Sequence, residues 1–125
     1  MAQVCVVDDK EILRESLAAA LEREDHRVTP FGDPVEALEA IRKNGFDLVL
    51  ADLKMPRMDG LTLIREIRNA GCDVPIIMIT SRVGDKHRAR AIELGVNDYL
   101  GKPYQDAQLL DAIQRQFDEK GITLT

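Results

Sequence analysis

The strongest constraint on this chain is an alternation. Five strand-sized apolar runs, Val4–Val7, Arg27–Phe31, Asp47–Ala51, Val74–Ile79 and Asn97–Leu100, are separated by segments with helical periodicity. Ile12, Leu13, Leu17, Ala20 and Leu21 read as one face of a first helix. Val35, Leu38 and Ile41 do the same for a second, Leu63, Ile64 and Ile67 for a third, and Leu109, Leu110, Ile113 and Phe117 for a last. The segment Asp85–Leu94 is the weakest helix, since its apolar face is mostly alanine; Asp85 is its candidate N-cap. Asp33-Pro34 reads as a cap followed by a first-turn proline, and Asn44-Gly45 and Asn69-Ala70-Gly71 read as helix ends. Apolar strands alternating with helices imply a parallel sheet covered on both faces, with right-handed crossovers. The fold class is therefore α/β, a doubly wound five-stranded parallel sheet.

The 125 residues suit one domain with a real core, and no repeat or linker interrupts them. The net charge of −5 argues against a nucleic-acid surface. No apolar run is long enough to span a membrane, and the N-terminus lacks the pattern of a signal peptide. Cys5 and Cys72 form no metal-ligand or C-x-x-C spacing, as suits a reduced cytoplasmic protein.

In a parallel sheet the strands' carboxyl ends share one edge, where ligands bind. After the first strand come Asp8 and Asp9, at the end of the third comes Asp52, after the fourth Thr80 and Ser81, and just past the fifth Lys102. The second strand ends in Phe31-Gly32, which offers no chemistry. Taken singly, each aspartate reads as a turn former or cap and Thr80 as a loop hydroxyl. Together they form a constellation of three carboxylates, a hydroxyl and an ammonium. Two carboxylates about 4 Å apart repel by roughly 4 kcal/mol at an effective dielectric of 20. Such a cluster needs a cation or must take up protons, and one lysine cannot neutralise three charges. Mg²⁺ suits a few carboxylates with positions left for water and phosphate. A carboxylate beside that metal can attack phosphorus to give an acyl phosphate, whose oxygens the metal, Lys102 and Thr80 could each take.

The stretches V-C-V-V-D-D-K-E (4–11), D-L-V-L-A-D-L-K-M-P-R-M-D-G (47–60), P-I-I-M-I-T-S (75–81) and G-V-N-D-Y-L-G-K-P-Y (95–104) closely resemble the receiver domain of two-component response regulators. The resemblance covers about residues 2–118 of a single receiver domain spanning 1–125, with 119–125 as tail or linker stump. It implies the flavodoxin-like (βα)5 strand order 2-1-3-4-5. It makes Asp52 the phosphoacceptor, Asp8 and Asp9 the metal-holding pair, and Lys54 the donor of a backbone carbonyl to Mg²⁺, with Mn²⁺ able to substitute. Thr80 resembles the switch hydroxyl, Tyr99 the switch aromatic and Lys102 the phosphate-binding lysine, with a cis Lys102–Pro103 bond. By pattern alone Tyr99 reads as a half-buried strand aromatic.

The resemblance further implies a bacterial, cytoplasmic signalling domain. Its partners would be a histidine kinase or histidine phosphotransfer domain and a downstream effector, with neither nucleic acid nor membrane bound directly. It would catalyse its own phosphorylation, and slow autodephosphorylation with Lys54 and Arg82 flanking the water route, without being a conventional turnover enzyme. The stretch 81–104 is similar to receivers of chemotaxis-type hybrid histidine kinases, and D-L-K-M-P (52–56) to those of nitrogen-regulation-type activators. Gly101 and Tyr104 depart from the commonest pattern. Lys86, His87, Arg88 and Arg90 make the start of the fourth helix basic, either a solvated face or a docking face. A flavodoxin would need a phosphate loop where Asp8-Asp9 stand, a haloacid-dehalogenase phosphatase an aspartate at position 54, and a P-loop enzyme a motif that is absent. A phosphorylation-independent pseudo-receiver is the remaining rival, though such domains usually lack one of the acidic or lysine positions filled here.

Overall fold

The computed structural model describes residues 2–43, 45–52, 58–80 and 85–120. Five strands alternate with five helices: β1 (Gln3–Val7), α1 (Glu11–Glu22), β2 (Arg27–Phe31), α2 (Pro34–Lys43), β3 (Leu48–Asp52), α3 (Gly60–Asn69), β4 (Ile76–Thr80), α4 (Asp85–Leu94), β5 (Asp98–Gly101) and α5 (Asp106–Lys120). All four strand pairings are parallel, in the order β2-β1-β3-β4-β5. Val7 pairs with both Phe31 and Ala51, Asp52 with Ile79, and Thr80 with Gly101. This register brings the strands' carboxyl ends level along one edge.

Strand alternation divides the core into two layers. Cys5, Val7, Val49, Ala51, Ile76 and Met78 face α2, α3 and α4, whose Leu38, Ile41, Leu63, Ile64, Ile67 and Ala91 cover them. Val4, Val6, Leu48, Leu50, Ile77 and Ile79 face α1 and α5, covered by Leu17, Leu21, Leu109, Ile113 and Phe117. Burial of each large apolar side chain contributes about 1.5–3 kcal/mol, so both layers are needed to hold the sheet. The same burial pushes the Cys5 thiol up to about 12, leaving it a neutral core group.

Local signals set the helix starts. Asp33 Oδ1 accepts the Val35 N–H at 3.0 Å ahead of Pro34, and Asp59 caps α3 by accepting the Thr62 N–H at 2.8 Å. Asp85 is the first helical residue of α4, and the residues before it, 81–84, lie outside the described ones. Helix α5 runs to Lys120, two residues into the expected tail; residues 121–125 lie outside the described ones.

Two expectations are corrected. Ile12 is 81% exposed, not part of the α1 core face. At about 100° per residue it lies more than a third of a turn from the centre of the Leu13–Leu17–Ala20–Leu21 stripe. Strand β4 starts at Ile76 rather than Val74, because Pro75 has no N–H for the ladder; its carbonyl accepts from Val49 N at 2.9 Å.

A single arginine ties the amino-terminal edge of the sheet together. Arg68, at the end of α3, donates to the carbonyls of Gly95, Cys72 and Val74 and to Asn97 Oδ1, over 2.7–3.2 Å. Gly95 has φ +109°, and a Cβ there would meet Arg68 Nε at 3.0 Å, so glycine is required both by conformation and by the guanidinium.

Candidate functional site

The opposite edge collects the acidic residues. The Asp8 N–H donates to the Phe31 carbonyl at 3.1 Å, carrying the β1–β2 ladder one residue past the strand. Asp8 Oδ1 then accepts the Lys10 N–H at 2.9 Å, an Asx turn that leads into α1, while the Asp8 carbonyl accepts Arg14 Nη1 at 2.8 Å. Asp52 is the last residue of β3 and Thr80 the last of β4; both are buried, as is Asp8. The Lys102 N–H donates to the Thr80 carbonyl at 2.8 Å, which extends the β4–β5 ladder and aims the lysine, and the Lys102–Pro103 peptide is cis.

Alternation then sorts the side chains. Asp8 follows Val4 and Val6, Asp52 follows Leu48 and Leu50, and Lys102 follows Leu100, all on the α1–α5 side of the sheet. Lys102 Nζ lies 3.7 Å from Asp8 Oδ2 and 3.7 Å from Asp52 Oδ2, shared equally between the two. By the same alternation Thr80 follows Met78 onto the other face, where Tyr99 packs against the α2–α4 layer. The hydroxyl and aromatic read as a switch pair therefore share one face of adjacent strands. Burial pushes the Tyr99 phenol up, with Arg88 opposing it. Tyr104 is also pushed up, by burial and by the charges of Asp106 and Asp8.

Asp8, Asp9 and Asp52 each offer a carboxylate oxygen within 4.8 Å of the others. At that separation each pair repels by about 3.5 kcal/mol at an effective dielectric of 20, and one ammonium faces three such charges. Asp9 Oδ1 is buried and has no hydrogen-bond partner among the described residues. A buried carboxylate oxygen without a donor among the described residues, on a member of an acidic cluster, matches the donor set of a hard divalent cation. Lys54, Ser81 and Arg82 lie outside the described residues. Sequence reasoning missed Arg14 and dismissed Gly32, two residues that meet beside Asp8. No motif or period marks Arg14, which lies five residues beyond Asp9 in the first turn of α1.

Residues 4–114 match the family model described as the response regulator receiver domain. The chain belongs to this family. The receiver match agrees with curated relatives such as the response regulator MprA of Mycobacterium sp. (strain KMS), 40% identical over 108 residues, or 86% of this chain and 47% of the relative. The chain thus spans about half the length of the curated relatives it matches. Among solved structures, the receiver domain of sensor histidine kinase PA1611 from Pseudomonas aeruginosa PAO1 is 31% identical with a TM-score of 0.86, over 94% of this chain and 98% of that one. That receiver has a magnesium ion coordinated in its active-site cleft. The chemotaxis response regulator CheY4 of Vibrio cholerae is 29% identical with a TM-score of 0.86, over 93% and 98% of the two chains. The flavodoxin-like order expected from the resemblance is the order observed.

Proposed function

We propose that Asp52 accepts a phosphoryl group from a phosphohistidine of a histidine kinase or histidine phosphotransfer domain, in a Mg²⁺-dependent step. The observation that carries this reading is the three-carboxylate cluster, with the Lys102 ammonium shared by Asp8 and Asp52 and a buried Asp9 oxygen that has no partner among the described residues. Asp8, Asp9, Asp52 and the Lys54 carbonyl would hold the ion, and Mn²⁺ can replace it. Bound there, the metal screens the charge between the Asp52 carboxylate and the incoming phosphoryl oxygens.

The chain's own residues supply the rest. An Asp52 oxygen attacks phosphorus as the phosphorus–nitrogen bond breaks, its electron pair staying on the imidazole nitrogen, which leaves as neutral imidazole once protonated. Lys102, already 3.7 Å from Asp52 Oδ2, follows the new charge and pairs with a phosphoryl oxygen. The Thr80 hydroxyl donates to another, and Tyr99, on the same face, moves with it to reshape the α4–β5–α5 surface that an effector reads. The acyl phosphate would be lost slowly to water, Lys54 and Arg82 being the residues expected from the sequence to obstruct it. The domain works in the cytoplasm, as a stand-alone regulator or as the receiver of a hybrid kinase or longer regulator. Among the described residues no helix is long and apolar enough to cross a membrane. The residues beyond α5 would serve as tail or linker.

Incubation with acetyl phosphate and Mg²⁺, followed by intact-mass measurement, tests the reading. One phosphoryl adduct should form, and it should be lost with a chelator and in Asp52→Asn. No adduct under saturating Mg²⁺ would favour a pseudo-receiver.

A further inference from the structure

The edge strand β2 is followed by Gly32, a residue with no chemistry of its own. A Cβ placed there would lie 2.8 Å from Arg14 Nη1 and 3.3 Å from its Cζ. Arg14, partly buried on α1, occupies that space, and from it Nη1 reaches the Asp8 carbonyl at 2.8 Å. We propose that Arg14 is a positioning residue for the acidic pair, locking the Asp8–Asp9 peptide so that Asp9 points into the metal site, with Gly32 as the gap that admits it. The inference rests on the Mg²⁺ reading given above.

The Asp8 carbonyl belongs to the same rigid peptide plane as the Asp9 nitrogen. Asp8 is held at its own N–H by Phe31, at Oδ1 by Lys10 and at Oδ2 by Lys102. The Arg14 bond adds the last main-chain restraint, and it is the one that sets the plane leading to Asp9. Asp9 needs that restraint, because its own Oδ1 has no partner among the described residues to hold it. Two effects of Arg14 oppose each other. Its positive charge would weaken binding of a second cation nearby, whereas its bond to the backbone would strengthen binding by pre-arranging the ligand. Supporting residues of this kind typically change metal affinity by about 10–100-fold. The carbonyl acceptor leaves that charge in place, so the inference is that positioning outweighs it, which a variant that keeps the charge can test.

Gly32 allows the two effects to be separated. No left-handed conformation constrains it, so Gly32→Ala displaces the guanidinium while keeping the charge. Mg²⁺ titration by calorimetry of the intact chain should show binding weakened about tenfold in Arg14→Ala and similarly in Gly32→Ala. Arg14→Lys, which retains a donor, should recover part of the loss. The double variant Arg14→Ala/Gly32→Ala should be no weaker than Arg14→Ala, since both changes remove one contact. The Asp9 amide resonance of the metal-free protein should shift in both single variants. Tighter or unchanged Mg²⁺ binding in Arg14→Ala, or an unmoved Asp9 resonance in Gly32→Ala, would overturn the inference. Failure of the wild type to bind Mg²⁺ would instead sink the metal reading, and the Asp9 resonance in metal-free Gly32→Ala would still decide whether Arg14 holds the pair.

Discussion

The crowding of carboxylates predicts that the metal-free protein is stabilised by losing one of them. Asp9→Asn is the informative change, because Asp9 is the acid of the three without an ion pair to Lys102 within 4.0 Å among the described residues. Its carboxylate faces Asp8 and Asp52 at 4.8 Å or less, which is a repulsion of about 3.5 kcal/mol per pair at an effective dielectric of 20. Each Lys102 ion pair, at 3.7 Å, returns about 4.5 kcal/mol on the same scale, and the variant leaves both intact. Asp9 is only partly buried, so water screens much of its share, and a net gain of about 1–2 kcal/mol is expected. An asparagine amide can also donate to a neighbouring carboxylate, which the native side chain cannot. Thermal unfolding in chelator should therefore rise by roughly 3–8 °C in Asp9→Asn. Wild type should gain stability on adding Mg²⁺, about 1.4 kcal/mol at ten times its dissociation constant, while the variant gains little. The order of the two should then narrow or invert. If Asp9→Asn is no more stable in chelator and still responds to Mg²⁺ like wild type, the electrostatic account of the site is wrong.

Three further outcomes are expected. Arg68→Ala should cost about 3 kcal/mol in urea unfolding, since charged hydrogen bonds are worth about 1.5–3 kcal/mol and several are lost together, while Mg²⁺ affinity stays unchanged because Arg68 sits at the other edge of the sheet. Lys102→Ala should still bind Mg²⁺ in calorimetry but lose phosphate-dependent shifts of the Tyr99 and α4 amide resonances; normal switching would mean that Lys102 is only a surface charge. Burial holds the His26 imidazole below its ordinary 6.5, and its Nδ1 is buried beside Phe117 with no partner among the described residues. The unfolded chain then binds the extra proton, so stability should fall as pH drops through about 6.5 towards the folded value, and His26→Gln should flatten that fall in urea titrations.

The sheet and the acidic site were legible because both leave regular marks. Continuous apolar runs and stripes of period 3.6 reveal strands and helices, and a parallel topology turns residues after strands into neighbours. Asp8, Asp9, Asp52 and Lys102, spread over the chain, therefore meet as expected. What failed was local. Ile12 resembled a core residue because hydrophobicity alone does not fix helical phase, and Val74 resembled a strand start because the missing N–H belongs to its neighbour Pro75. The arginine contacts were invisible. Arg14 spends a donor on the Asp8 carbonyl, six residues back, and Arg68 spends its donors on carbonyls from four to 27 residues on, and such contacts follow neither period nor motif. Gly32 and Gly95 carry a trace of them, as residues that leave room for a guanidinium.

The most direct test of the central claim is the location of the phosphoryl group. Protein treated with acetyl phosphate and Mg²⁺ would be reduced with borohydride, which converts an aspartyl phosphate to homoserine, then digested and sequenced by tandem mass spectrometry. Homoserine should appear at residue 52, only when the metal is present. Homoserine at another aspartate, or an adduct that persists in Asp52→Asn, would contradict the assignment of Asp52 as the phosphoacceptor.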